Sequence, residues 1–204
     1  MKDLSPRFCI PIDMPRPRGA RLIEGFSPKL GRRLQFFDHA AFAVWIALEA
    51  TPDVITLCER PSRTGKDKGD PIVDFWVRRA AGEEFLFVPT SDTSVPRLDV
   101  CMNLPARTVT ASERAAQSTW TENWMRILPV VNAARIALTK SALKSICSFV
   151  REPTPLAVIE RKFASGDPSV VRATAFELLR TGQLHAPELH TRPLSTNTLL
   201  EPAR

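Results

Sequence analysis

The pattern of apolar and polar positions changes character three times along the chain. Up to about residue 24, Pro6, Pro11, Pro15, Pro17 and Gly19 break any period among basic residues, so the segment reads as an extended arm without helix. Phe26-Ser27-Pro28-Lys29-Leu30-Gly31 then turns the chain into Leu34-Gln35-Phe36, whose alternation predicts a short strand. Asp38 to Glu49 predicts a helix, with Asp38 as N-cap, Phe42, Trp45, Ile46 and Leu48 on its apolar face, and Thr51-Pro52-Asp53 as its stop. Val54 to Cys58 reads as a strand and the Gly- and Lys-containing stretch from Pro61 to Pro71 as a solvated loop. Ile72 to Arg79 and Glu84 to Val88 form a predicted hairpin around Ala80-Ala81-Gly82. A helix, a strand and a hairpin begin an α/β domain, which ends near residue 107.

Beyond that point the period becomes helical. One helix is predicted from Ser112 to Asn132, with Trp120 and Trp124 on one face, and another from Ala133 to Val150, with Ile136, Leu143 and Ile146 at helical spacing. Thr154 caps a short helix from Pro155 to Phe163, and Asp167 or Ser169 caps one that Gly182 closes. Leu184 to Leu189 and Pro193 to Leu200 are two short candidate strands. Three helices followed by a two-stranded appendage is the order of a winged helix-turn-helix. The chain thus divides into an arm (1–25), an α/β domain (26–107) and a mainly helical domain (108–204).

Composition narrows the classes. The 204 residues exclude a long repeat array or a multidomain enzyme, and the longest apolar run, Ala40 to Leu48, falls far short of the ~20 residues of a membrane helix. The amino end lacks the charged and apolar regions of a secretory signal, so a cytoplasmic protein without a membrane partner is expected. Cys9, Cys58, Cys101 and Cys147 lie too far apart for a C-x-x-C pair and read as free thiols, and His39, His185 and His190 do not complete ligand spacing with them. A formal charge of +6 comes from 28 Lys+Arg against 22 Asp+Glu. Residues 1–106 hold 15 basic and 14 acidic side chains and residues 107–204 hold 13 and 8, which places the polyanion affinity in the helical half.

Several phrases recur together in an order that carries more information than any one of them. They are Phe26-Ser27-Pro28-Lys29, Leu48-Glu49-Ala50-Thr51-Pro52-Asp53-Val54 leading to Glu59-Arg60-Pro61, Val73-Asp74-Phe75-Trp76-Val77-Arg78-Arg79 with its Gly82 turn, Val109-Thr110, Asn132, Leu178 to Leu184, and Pro193 to Thr198. On these phrases, across residues 26 to about 200, the chain resembles the TnsA-type endonucleases of heteromeric cut-and-paste transposons. The resemblance implies a restriction-endonuclease-like PD-(D/E)XK domain, a mixed sheet with helices, followed by a winged-helix domain. Such nucleases hold Mg²⁺ with a helix acid, an Asp opening one strand and an acid-x-Lys element on the next, and the metal polarises the phosphate and activates water.

Carried over position by position, the resemblance keeps the strand acid as Asp74 and loses the rest. The helix acid falls on Ala41, the second strand acid on Val88 and the lysine on Thr90. No cofactor is then expected, and Mg²⁺ only if the site is rescued by migrated ligands, with Asp38 one turn before Ala41 and Glu84 four residues before Val88 as the candidates and Asp92 beyond Thr90. Asp74 could equally cap a turn or pair with Arg32, Arg33 or Arg78, and Trp76, Trp120 and Trp124 read as core or interface anchors. The winged-helix order offers Arg161, Lys162, Arg172, Arg180 and Arg192 to nucleic acid. The expected function is a transposition subunit that binds DNA or a transposase partner without cutting and takes no small-molecule substrate. The alternatives are an active Mg²⁺-dependent endonuclease cutting at transposon ends and a non-nuclease DNA-binding regulator.

Overall fold

The structure is a computed structural model that describes residues 6–89, 100–164 and 167–203. Its contacts gather into two units, Met1–Leu48 with Asp53–Ala115, and Glu49–Pro52 with Ala116–Arg204. The fold is mixed α/β, with a mixed five-stranded sheet and six α-helices among the described residues.

In the first unit, β1 (Ile23–Ser27) and β2 (Arg32–Phe36) pair antiparallel, Ile23 opposite Phe36 and Ser27 opposite Arg32. The turn between them ends on Gly31 at φ 66°, whose N–H donates to the Ser27 carbonyl at 2.8 Å, a backbone conformation that glycine takes without steric cost. The sequence reading has only the second of these strands, because the first follows directly on the proline-rich arm and carries Gly25 in its middle. That glycine has a packing reason: it lies so close to the Trp45 indole that a Cβ there would overlap the ring.

α1 (His39–Ala50) begins where Asp38 predicts it, the Asp38 carboxylate accepting the Ala41 N–H at 2.7 Å. From Ala40 onward none of its positions is exposed, so it is a core helix rather than an amphipathic surface one. Trp45 stacks on Phe36 at 5.4 Å, and Phe36 meets Phe75 at 6.2 Å, joining the helix and hairpin to the sheet.

The five strands run in the order β3 (Val54–Glu59), β4 (Phe75–Arg79), β5 (Gly82–Phe87), β7 (Leu104–Thr108) and β6 (Val100–Cys101). All neighbours are antiparallel except β5 and β7, which are parallel with Phe85 opposite Ala106. The expected strand from Ile72 is shorter, because the Arg60 N–H takes the Asp74 carbonyl at 2.8 Å and the chain bends at Asp74 before β4 begins. α2 (Ala111–Ala116) opens with a reciprocal cap in which Thr110 Oγ1 accepts the Glu113 N–H and Glu113 accepts the Thr110 N–H, at 3.1 and 2.7 Å.

The second unit holds α3 (Ser118–Ala134), α4 (Lys140–Phe149), α5 (Leu156–Lys162) and α6 (Pro168–Arg180) with a three-stranded antiparallel sheet. In that sheet β10 (Leu199–Pro202) lies between β8 (Thr154–Pro155) and β9 (Leu184–His185). The expected helix from Ala133 to Val150 starts only at Lys140, because Thr139 takes the N-cap position and accepts the Ala142 N–H at 3.1 Å. The expected strand from Pro193 starts only at Leu199, because the Leu194 N–H is used by Asn123 Oδ1 at 2.7 Å.

α6 is the centre of this unit and packs against α3, α4 and α5. Asp167 caps it, accepting the Ser169 N–H at 2.8 Å, and no position from Val171 to Arg180 is exposed. Asn123, buried on α3, donates to the Leu189 and Arg192 carbonyls, both at 2.8 Å, and so fastens the 189–194 loop with every polar atom used.

Candidate functional site

Asp38, Ala41 and Asp74 line one cavity of about 210 Å³ in the first unit, together with Phe36, Phe37, Glu59, Arg60, Ile72, Phe75 and, from the arm, Met14 and Pro17. α1 supplies Asp38 at its cap and Ala41 one turn in, the bend before β4 supplies Asp74, and the end of β3 supplies Glu59 and Arg60. Asp74 Oδ2 accepts the Val88 N–H, just past β5, at 2.6 Å. Burial pushes the Asp74 carboxyl up to about 7; the Val88 N–H opposes this, the nearby Asp38 carboxylate adds to it, and the Arg60 guanidinium opposes it.

The other groups in the cavity wall are already engaged. Glu59, 2% exposed, is held by Arg32 through two parallel bonds of 2.7 and 2.5 Å, and this bond outweighs burial in holding the Arg32 guanidinium above its usual range. Arg60 sits at φ 46°, donates through Nη1 to the Gln35 carbonyl at 2.7 Å, and lies 5.7 Å from the centre of the Phe37 ring. Neither the Glu59–Arg32 pair nor Arg60 is signalled by spacing in the sequence. The nearest hint is Glu59-Arg60-Pro61, a charged pair closing an apolar strand.

The migrated-ligand set does not assemble around Asp74. Glu84 lies opposite Val77, three residues along β4 from Asp74 and so roughly 10 Å away at ~3.3 Å per residue. Its carboxylate is held by Arg79 at 3.1 Å and by Arg107 at 3.8 Å. Thr90 and Asp92 lie outside the described residues. Among the described residues no three His, Cys, Asp or Glu side chains gather into a metal-binding group. The donor chemistry does not fit a hydrated divalent cation: one Asp74 oxygen holds an amide, one Asp38 oxygen caps a helix, both Glu59 oxygens hold Arg32, and Ala41 and Val88 bring no ligand atom.

In the second unit the candidate arginines fall into two groups. Arg180 is largely buried and bidentate to Glu177 at 2.7 and 2.6 Å, with the fully buried Glu49 at 4.0 Å. Burial lowers its affinity for the proton, yet the two carboxylates outweigh this and hold the guanidinium above its usual range. Arg172, half-exposed, is bonded to Glu160. Arg161 and Lys162, at the end of α5, and Arg192, beside Glu188 at 3.7 Å, are exposed. A phosphate could meet these last three without displacing a buried partner, whereas it would have to compete with buried or half-buried carboxylates for Arg172 and Arg180.

The three tryptophans separate as well. Trp76 and Trp124 are fully buried, Trp76 Nε1 donating to Glu83 at 3.1 Å, while Trp120 is half-buried and stacked on His190 at 4.1 Å. Trp120, Trp124 and His190 line a second, mainly apolar cavity of about 420 Å³ within this unit. No described protein family matches the chain, and no curated protein is significantly similar to it in sequence.

Proposed function

We propose that the chain is a TnsA-like subunit of a mobile element that binds DNA, a transposase partner or both during transposition, with a nuclease-like domain that does not cut. One observation carries this reading. Of Ala41, Asp74 and Val88, the positions onto which the resemblance maps three acids, only Asp74 brings a carboxylate; it is bonded to the Val88 amide, and the other acids of the cavity wall, Asp38 and Glu59, are engaged by a helix cap and by Arg32. The family's cutting chemistry needs a cluster of free ionised ligands at that point, and here the mapped helix and second-strand positions are the apolar Ala41 and Val88.

The order of the second unit supports the other half of the reading. A helix (α4), a strand (β8), two helices (α5 and α6) and two strands (β9 and β10), with β10 between β8 and β9, is an order in keeping with the winged-helix reading. Because α6, the helix that would read a groove, is covered by its neighbours, contact through Arg161, Lys162 and Arg192 at its flanks fits better than base reading from α6 itself.

Purified protein with Mg²⁺ or Mn²⁺ should leave supercoiled plasmid intact yet retard duplex DNA in a gel at low salt. Cleavage that disappears in Asp74→Ala would overturn the silent-nuclease reading in favour of an active endonuclease.

A further inference from the structure

The arm holds a charged surface that the averaged charge of the first half conceals. Between Pro6 and Leu22 stand Arg7, Arg16, Arg18 and Arg21 against Asp13 alone. All four guanidinium-bearing residues are exposed, and among the described residues none of them forms an ion pair. Other arginines of this unit behave differently: Arg32, Arg79 and Arg107 are tied to Glu59, Asp53, Glu84 and Glu113. The near-neutral sum of the unit therefore hides an arm whose four arginines stand outside the ion pairs among the described residues, against one acid of their own.

The arm is also fixed in place. Phe8 wedges against Trp76 and Phe85 at 5.6 and 5.7 Å. Ile12 exchanges two bonds with Arg60, its N–H donating to the Arg60 carbonyl at 2.8 Å and its carbonyl accepting from Arg60 Nε at 3.4 Å. Past Met14 the chain makes a turn in which the Ala20 N–H donates to the Pro17 carbonyl at 3.1 Å, with Gly19 at φ 82° in the third position. Arg16 Nε locks that turn from outside by donating to the Ala20 carbonyl at 2.7 Å. Pro15 and Pro17 hold the backbone extended around Arg16, which sets the Arg16 and Arg18 Cα atoms about 6–7 Å apart. Pro17, between them, is part of the wall of the Asp74 cavity.

Resting on the reading of a nucleic-acid-binding subunit, we infer that the Pro15–Arg21 turn is a contact site for duplex DNA, its arginines engaging the phosphate backbone across the mouth of the Asp74 cavity. Three features favour a nucleic acid over an acidic protein. The site presents only guanidinium groups, whose forks match phosphate. Among the described residues no aromatic anchor stands exposed beside them; the large apolar side chains exposed on the arm are Leu22, just past the turn, and Ile10, five residues before it. The turn also gathers Arg16, Arg18 and Arg21 within six residues, a density of positive charge that a phosphate backbone attracts.

The test is fluorescence anisotropy of the full chain with a labelled duplex of about 30 base pairs, titrated from about 50 to 200 mM salt, for wild type and for Arg16→Ala/Arg18→Ala/Arg21→Ala. Each lost phosphate contact removes about 0.9 from the log–log salt slope, so the slope should fall by about 2 to 3 and affinity at ~0.1 M salt by tenfold or more. A second variant, Arg18→Ala/Arg21→Ala, keeps the Arg16–Ala20 bond and should show about two thirds of that slope change with unaltered circular dichroism. Wild-type binding with an unchanged slope in both variants overturns the arm site while leaving the DNA-binding reading intact, and failure of wild type to bind duplex at all overturns both. Tighter arm-dependent binding to polyglutamate than to DNA overturns the nucleic-acid assignment in favour of an acidic protein partner.

Discussion

Two buried acids, Asp74 in the first unit and Glu49 in the second, are neutralised in opposite ways, while Glu59 of the first unit, held by Arg32, follows the second pattern. In the first, the Asp74 carboxyl is buried with one amide for a partner and a second acid nearby, and it answers by holding its proton to about pH 7. In the second, the buried Glu49 and the part-buried Glu177 stay with a guanidinium, Arg180, which is held above its usual range. A buried acid can be neutralised by a proton or by a cation, and the two solutions have different consequences. The proton-held acid makes its unit sensitive to pH. The cation-held pair makes its unit sensitive to mutation and removes Arg180 from the surface where phosphate would be met.

The sharpest way to break this contrast is Arg180→Met. It takes the guanidinium away from two carboxylates, one of them fully buried, and should cost about 3–5 kcal/mol in chemical denaturation. A loss below about 1 kcal/mol would mean that the carboxylates find other partners and that the units do not differ in this respect.

Asp74→Asn tests the other side, with the opposite sign. The folded state binds the proton more tightly than the unfolded chain, whose carboxyl titrates near 3.8, so the wild-type group costs stability progressively as pH rises from about 4 to about 7 and fully above that. Asparagine keeps an acceptor for the Val88 N–H without the charge. It should therefore stabilise the protein by roughly 1–3 kcal/mol at pH 8 and change little near pH 4, as read from denaturation midpoints at the two pH values. Equal effects at both would place an ionised Asp74 in the folded protein.

The smallest expected effect is Arg172→Ala. Its pair with Glu160 is half-exposed, so the change should cost about 0.5 kcal/mol or less. If it proves as damaging as Arg180→Met, the distinction between the buried and the open arginines of the second unit fails.

Local features were the legible part of this fold. Asp38 and Asp167 stand immediately before apolar helical runs and cap them as their side chains allow, and the hairpin around Gly82 follows from two apolar strands separated by a turn. Asp74 was singled out by the resemblance, which maps the strand acid of the nuclease pattern onto it. What surrounds it was not. The Val88 amide, the Glu59–Arg32 pair, the Ile12–Arg60 exchange and the Asn123 clamp each join residues far apart in the chain, and such pairs leave no period to read. The break at Thr139 was hidden for a different reason: a threonine that caps one helix looks the same in a sequence as one that sits inside a longer helix. The basic arm was hidden by averaging, because its arginines are balanced on paper by acids that are spent on other partners.

The fit of Gly25 beneath Trp45 has a consequence for how this sequence can drift. Because no side chain can enter at position 25 while the indole is in place, the two sites cannot vary independently: an alanine at 25 is admissible only after 45 has shrunk, and a smaller residue at 45 leaves a void that a larger one at 25 could fill. Among distant homologues the pair should thus appear either as glycine with tryptophan or as a larger residue with a smaller ring or aliphatic, with the mixed combinations missing.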